Sequence, residues 1–81
     1  MTMQRNEVFE RLNKVFREVF DDESITLSEN TTANDIEGWD SLTHINVIFA
    51  VQDEFDVKFS MKEIIAMKNV GKLVDIILGE R

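Results

Sequence analysis

The chain has 81 residues and a mass of 9.4 kDa, the size of one small domain, and we expect a single domain over residues 1–81. It contains no cysteine and one histidine, which excludes disulfides and thiolate metal sites and argues against a histidine-based metal site. Its own side chains therefore supply no cysteine nucleophile and no redox pair, and we expect no bound metal.

The net charge of −7 is concentrated in the middle of the chain. Residues 21–56 hold ten acidic side chains and no Lys or Arg, whereas residues 1–20 have a net charge of +1 and residues 57–81 of +2. This balance disfavours nucleic-acid binding, because phosphate contacts need Lys and Arg. An acidic segment suits docking to basic protein surfaces, and a solvated face that aids solubility is the alternative.

We expect neither a targeting segment nor a membrane-spanning segment from this sequence. The N-terminal stretch MTMQRNEVFERL is amphipathic and lacks the apolar region of a secretory signal. No apolar run approaches the roughly 18 residues of a membrane span. We therefore expect a cytoplasmic monomer that does not insert into membranes.

The first predicted element is an amphipathic helix over residues 4–20. Its apolar side chains run from Val8 to Phe20 with i, i+3/i+4 spacing, which places them on one stripe. Asp21 and Asp22 would oppose the helix dipole at its C-terminal end, so they mark where the helix stops.

A polar loop is predicted for residues 21–40. Loops of about 20 residues are uncommon in compact domains and are usually functional or disordered. Four isolated apolar residues interrupt this one: Ile25, Leu27, Ile36 and Trp39. Their spacing predicts a loop that is pinned to the core at intervals.

A second helix is predicted for residues 41–55. One apolar face is formed by Leu42, Ile45, Ile48, Phe49 and Phe55, and Val47, Ala50 and Val51 widen it. A helix this apolar is expected to be buried on more than one side, with neighbouring helices packed around it.

Two further helices complete the chain. The sequence SMKE, which begins at Ser60, has the S-x-x-E form of a capping box and predicts a short helix from Met61 to about Met67. Asn69 is expected to cap a last helix over residues 70–79, which Gly79 ends. The predicted fold class is therefore all-α: a small four-helix bundle with a long loop between helices 1 and 2 and a short third helix.

Ser41, at the start of the second helix, has three interpretations. In the first interpretation Ser41 is the N-cap of the helix, although Asp40 can equally take that role. In the second interpretation Ser41 is a nucleophile paired with His44 at i, i+3. However, GWDSLT lacks the G-x-S-x-G elbow of hydrolases, and we expect His44 to be an exposed polar-face residue. In the third interpretation Ser41 is an attachment point, since a helix N-terminus favours the negative charge of a phosphodiester.

The motif Asp40-Ser41-Leu42, at the start of an apolar second helix and after a long acidic loop, resembles the acyl carrier protein family. The resemblance covers about residues 4–79 and includes DIEGWDSL, DEFDVKF and the short third helix. It implies that a separate Mg²⁺-dependent phosphopantetheinyl transferase esterifies Ser41 with 4′-phosphopantetheine. The chain would then be a carrier and not an enzyme, holding an acyl group as a thioester for acyl-loading and acyl-transfer enzymes.

The resemblance also assigns roles to residues around Ser41. It places Asp40 and Leu42, at the start of the second helix, in partner recognition. The acidic segment adds Asp53 and Glu54, near the end of that helix, as residues expected to recognise enzymes with basic docking surfaces. Six residues fall where the family lines a core that can admit an acyl chain: Val47, Val51, Phe55, Ile64, Met67 and Ile76. Ordinary core packing is the alternative for each of these six.

Three positions depart from the carriers of fatty acid synthesis. Those carriers usually have acidic residues where this chain has Thr43 and Asn46. The third position is Trp39, since a Trp before the acidic residue resembles the pattern of specialised carriers of polyketide, polysaccharide or other secondary pathways. We therefore expect a specialised acyl carrier and not one of housekeeping fatty acid synthesis. A peptidyl or aminoacyl carrier protein is the first alternative, and an interaction module that keeps the fold without the arm is the second.

Overall fold

The computed structural model describes residues 4–67 and 69–79, and these form four α-helices. The helices are α1 (Arg5–Val19), α2 (Ser41–Phe55), α3 (Met61–Ala66) and α4 (Val70–Leu78), and a 3₁₀ helix (Ala33–Asp35) lies in the loop between α1 and α2. The predicted four-helix bundle with a long first loop and a short third helix is confirmed, while the 3₁₀ helix was not predicted. None of the described helices is both long enough and apolar enough to cross a bilayer.

Helix α1 is the centre of the bundle, because it packs against both α2 and α4. The largest side chains with no exposed surface come from these three helices: Phe16, Leu12 and Val8 of α1, Val47 and Val51 of α2, and Leu73, Val70 and Val74 of α4. Each such side chain contributes about 1.5–3 kcal/mol by leaving water. The bundle is therefore held mainly by one apolar core around α1.

The long loop is pinned to this core as the sequence predicted. Its four isolated apolar residues, Ile25, Leu27, Ile36 and Trp39, are all buried. Side chains of α1 also bond its backbone, since Asn13 Oδ1 accepts from the N–H of Leu27 at 2.7 Å and Arg17 Nε donates to the carbonyl of Ile25 at 2.7 Å. The loop therefore has a fixed path without long regular structure of its own.

Helix α2 is more exposed than its composition predicted. Ile48 is buried, but Leu42, Ile45 and Phe49 are exposed, Leu42 to 83%. The prediction that neighbours enclose this helix on more than one side is wrong, because α2 packs mainly on α1 and the short α3 covers little of its other side. An exposed apolar stripe therefore runs along α2 from the residue after Ser41.

The ends of α3 and α4 follow the predicted capping signals. Ser60 Oγ accepts from the N–H of Glu63 at 3.2 Å, and the Glu63 carboxylate accepts from the N–H of Ser60 at 3.0 Å, which confirms the capping box. Asn69 Oδ1 accepts from the N–H of Lys72 at 2.9 Å. Gly79 ends α4 in the left-handed conformation, at φ +78°.

The start of α4 is joined to the long loop at Gly71. Its N–H donates to the carbonyl oxygen of Glu29 at 3.0 Å, and a Cβ at this position would lie 2.7 Å from that oxygen. Arg5 also binds the Glu29 carboxylate, at 2.5 Å, and Asp75 of α4, at 2.8 Å. The hydrogen bond from Arg5 lowers the pKa of Glu29. Position 71 therefore needs glycine, because the backbone of α4 approaches the backbone of the loop closely there.

Candidate functional site

Helix α2 is capped by Asp40 and not by Ser41. Asp40 Oδ1 accepts from the backbone N–H groups of Leu42 at 2.9 Å and Thr43 at 3.0 Å, and Thr43 Oγ1 accepts from the N–H of Asp40 at 2.7 Å. These hydrogen bonds, first that from Thr43 and then that from Leu42, hold the pKa of Asp40 below its ordinary value. The cap is therefore an ionised carboxylate that complements the helix dipole.

The capping role of Thr43 was not predicted from the sequence. The signal was present, since an Asp followed three residues later by a hydroxyl-bearing residue is a variant of the capping box. Thr43 Oγ1 also donates to the carbonyl of Gly38 at 2.6 Å. Thr43 therefore fixes the turn that leads into Ser41.

Ser41 is the first residue of α2 and is exposed. Because the carboxylate of Asp40 occupies the N–H groups of Leu42 and Thr43, those two groups are not available for a phosphodiester on Ser41. The helix dipole still favours a negative group there. Ser41 therefore has an accessible hydroxyl, and its backbone is held in place by the neighbouring residues.

A cavity of about 350 Å³ opens beside Ser41, between α2, α3 and the long loop. Its wall is mainly apolar. Helix α2 contributes His44 and Ile45, α3 contributes Ile64 and Ile65, and Trp39 comes from the loop. A group attached to Ser41 would therefore lie next to an apolar surface of limited volume.

The six residues expected to line an acyl pocket are divided between this cavity and the core. Ile64 and Met67 lie in the cavity wall. Val47 and Val51 have no exposed surface and belong to the closed core, and Phe55 and Ile76 are partly buried against that core. Ile45 and Ile65 also line the cavity and were not predicted to, because the position of α3 relative to α2 cannot be derived from helical periodicity.

His44 is not the exposed polar-face residue that the sequence suggested. It is half-buried and stacks on Trp39, with ring centroids 5.9 Å apart. Its Nδ1 accepts from Trp39 Nε1 at 3.1 Å, and its Nε2 lies 3.4 Å from the carbonyl oxygen of Ile64. Both ring nitrogens therefore have partners other than Ser41, which argues against a Ser41–His44 nucleophile pair.

The residues expected to recognise partners lie at both ends of α2. Asp40 and Leu42 are exposed at its start, and Asp53 is exposed about 18 Å further along the helix. Glu54 is bound within the chain, since its carboxylate accepts from Arg11 Nε of α1 at 2.8 Å. Of the predicted acidic residues, Asp53 is thus the exposed one that serves no cap.

No group of three or more His, Asp or Glu side chains in residues 4–67 and 69–79 is arranged to hold a metal ion. The site next to Ser41 therefore consists of an exposed hydroxyl, an ionised cap and an apolar cavity. Such a position is accessible to a covalently attached group.

Comparison with known proteins agrees with this class of site. A family model described as "Phosphopantetheine attachment site" matches residues 8–77. The mitochondrial acyl carrier protein of Neurospora crassa is 33% identical over 81 residues, which cover 96% of this chain and 59% of that protein. The chain thus spans less than two thirds of the length of this relative.

A solved structure gives the same result. The holo acyl carrier protein of Geobacter metallireducens, determined by solution NMR, is 42% identical and superposes with a TM-score of 0.84 over 90% of this chain and 84% of that one. The chain belongs to the acyl carrier protein family, as its sequence indicated. Members of this family are carriers and not enzymes, and their prosthetic group is phosphopantetheine.

Proposed function

We propose that this chain carries acyl groups as thioesters on a 4′-phosphopantetheine arm esterified to Ser41. The observation that carries this proposal is the placement of Ser41, exposed as the first residue of α2 and at the edge of an apolar cavity. The arm supplies a terminal thiol, which the cysteine-free chain lacks.

The residues around Ser41 fit such an arm. Ser41 provides the ester oxygen, and the capping box of Asp40 and Thr43 holds the backbone on both sides of it. Ile45 and Ile64 offer apolar surface to the attached group. Because the cargo is tethered, its effective concentration at a bound enzyme exceeds that of a free acyl group.

The proposal is tested by incubating the protein with coenzyme A, Mg²⁺ and a broad-specificity phosphopantetheinyl transferase. We expect the intact mass of the wild type to rise by one phosphopantetheine and that of Ser41→Ala to stay unchanged. Ser60→Ala is the matched control, since Ser60 also adjoins a helix start. This variant keeps Ser41 and is expected to gain the arm. A wild type without the gain, as an interaction module would show, contradicts the proposal, and so does an equal gain on Ser41→Ala.

We further propose that partner enzymes dock on the exposed stripe of α2 formed by Leu42, Ile45 and Phe49. Asp40 and Asp53 border this stripe, so a partner with an apolar centre and basic groups around it is complementary. The phosphopantetheinyl transferase and the acyl-loading and acyl-transfer enzymes are the expected partners.

Asp53→Lys tests the electrostatic part of this docking. Binding to an acyl-transfer enzyme is expected to weaken more at low salt than at high salt, because salt screens exposed charges. Glu10→Lys on α1 changes the net charge equally and is exposed on another helix, so it is expected to have a smaller effect. Equal weakening by the two variants would show that net charge, and not this face, governs binding.

We propose that the pathway is a specialised one and not housekeeping fatty acid synthesis. Support comes from positions 43 and 46, where this chain has no acidic residue, and from Trp39 before the cap. A peptidyl or aminoacyl cargo is the alternative. We place the carrier in the cytoplasm, a proposal that fractionation of the source cells would test.

The pathway proposal is tested by loading the arm-bearing protein with a malonyl-transfer enzyme of fatty acid synthesis. We expect slower transfer than to a standard fatty-acid carrier, and faster transfer after Thr43→Glu and Asn46→Glu are combined. Wild-type transfer as fast as to the standard carrier would contradict the proposal. Loading by an aminoacyl-activating enzyme in preference to acyl-transfer enzymes would favour the aminoacyl alternative.

A further inference from the structure

Helix α3 is the least anchored of the four helices. The main interhelical contacts join α1 to α2 and α1 to α4, and none of the six residues Met61–Ala66 is buried. A helix of this length is not stable by its own hydrogen bonds, since isolated helices need about 12–15 residues. The position of α3 therefore depends on the side chains that contact it from neighbouring elements.

Two side chains of α2 bond to the backbone of α3 and of the segment just before it. Gln52 Oε1 accepts from the N–H of Phe59 at 2.9 Å, two residues before the helix begins. His44 Nε2 lies 3.4 Å from the carbonyl oxygen of Ile64, in the second half of the helix. Gln52 and His44 are about 12 Å apart along α2, so they hold α3 and the segment before it at two separate points. His44 and Ile64 both line the cavity beside Ser41.

The partners of His44 require one tautomer of its ring. The indole Nε1 of Trp39 can only donate, so Nδ1 of His44 must present a lone pair. The ring proton then lies on Nε2, and this N–H is the donor that the carbonyl oxygen of Ile64 can accept. The Trp39 bond and the Ile64 bond therefore select the same neutral form of the ring.

Trp39 is itself held by the core. It is buried and packs edge-on against Phe16 of α1, with ring centroids 5.1 Å apart. A continuous series of contacts thus runs from α1 through Trp39 and His44 to α3. The position of α3 is in this way linked to the buried core around α1.

Resting on the attachment proposed at Ser41, we infer that His44 is a positioning residue that sets the width of the cavity beside Ser41. It does so by holding the second half of α3 against α2 through the carbonyl of Ile64. Without this bond, Ile64 keeps only its apolar packing against the core, so we expect the cavity wall formed by Ile64 and Ile65 to move away from α2 more easily. His44 thereby limits the size of the attached group that lies in the cavity.

Two substitutions at position 44 separate the two hydrogen bonds. In His44→Asn, the side-chain oxygen stands close to the position of Nδ1 and keeps an acceptor for Trp39, but the side chain is too short to reach Ile64. In His44→Gln, the side-chain amide nitrogen stands close to the position of Nε2 and keeps a donor for Ile64. Gln52→Leu is the matched control, because it removes the other bond to the α3 region.

Amide hydrogen exchange of the unmodified protein measures the bond directly. We expect exchange near the end of α3 to be about fivefold faster in His44→Asn and to change less than twofold in His44→Gln, with α1 amides unchanged. Gln52→Leu is expected to accelerate the amide of Phe59 and not those at the end of α3. Unchanged exchange in His44→Asn, or equal acceleration in His44→Gln, overturns the inference. His44→Phe, which keeps the ring and loses both nitrogens, replaces His44→Asn if the latter does not fold.

Loading Ser41 with arms of increasing acyl length tests the effect on the cavity. Acylation is expected to raise the Tm of the wild type up to a certain chain length, and in His44→Asn this rise is expected to continue to longer chains. The same limiting length in both proteins overturns the inference. If Ser41 accepts no arm, the attachment proposal fails, whereas the exchange experiment on unmodified protein still decides the role of His44 at α3.

Discussion

Asp40 and Ser41 are adjacent residues with separate roles at the start of α2. Asp and Ser are about equally good N-caps, so the sequence left the capping role open between them. In the structure the extended backbone of the cap falls on Asp40, whose carboxylate binds the first-turn N–H groups. Ser41 is thereby left as an exposed residue in the first turn of the helix.

At this scale we expect the cap to give the protein a pH-dependent stability. The pKa of Asp40 is lower in the folded chain, so its stabilisation is complete above the ordinary carboxyl pKa and is lost as the pH falls through the lowered value. Asp40→Asn keeps a capping group but loses the charge. In denaturant titrations, the stability difference between wild type and Asp40→Asn should therefore narrow as the solution becomes more acidic. A difference that stays constant from neutral to acidic pH would contradict this role.

At the scale of the elements, helix boundaries follow local signals and helix environments do not. The apolar period of α1, the capping box of α3 and the cap at Asn69 all act within a few residues, so the sequence predicted these helices closely. Periodicity does not show whether an apolar face is covered, so the exposure of Leu42 and Phe49 was not predicted. The Trp39–His44 contact was also not predicted, because it depends on the path of the long loop.

At the scale of the elements, replacing Gly71 with alanine is expected to change stability in the opposite direction from an ordinary helical glycine. Gly→Ala in a helix normally stabilises by about 1 kcal/mol. Here an added Cβ would stand 2.7 Å from the carbonyl oxygen of Glu29, so α4 and the loop must separate. We expect Gly71→Ala to destabilise the fold by about 1–3 kcal/mol in thermal or denaturant unfolding. Lys72→Ala, exposed on the same helix, should be nearly neutral, and a stabilised Gly71→Ala would show that the two backbones are not in close contact.

At the scale of the whole molecule, one small core must stabilise the fold while a separate apolar surface remains exposed. A chain of this size buries only about 60% of its unfolded surface, so each large core residue matters. Phe16 has no exposed surface and contacts Trp39, whereas Phe49 is 61% exposed on α2. The two phenylalanines therefore distinguish the stabilising core from the surface proposed for docking.

Truncation of these two residues measures that division. Phe16→Ala is expected to cost about 3–5 kcal/mol of unfolding free energy, since it leaves a cavity in the core. Phe49→Ala is expected to change stability by less than about 0.5 kcal/mol and to weaken partner binding. Denaturant unfolding of both variants checks the first part, and binding to an acyl-transfer enzyme checks the second. A cost below about 1 kcal/mol for Phe16→Ala would mean that the core is centred elsewhere.

The central claim is that Ser41 anchors an arm whose terminal thiol carries an acyl group. Its most direct measurement is the mass of the Ser41-containing peptide after the protein is treated with an acyl-coenzyme A and a phosphopantetheinyl transferase. We expect one acyl-phosphopantetheine on Ser41, and neutral hydroxylamine should then remove the acyl group and leave the arm, as a thioester requires. An unmodified Ser41 peptide, or an acyl group that resists hydroxylamine, would contradict the account.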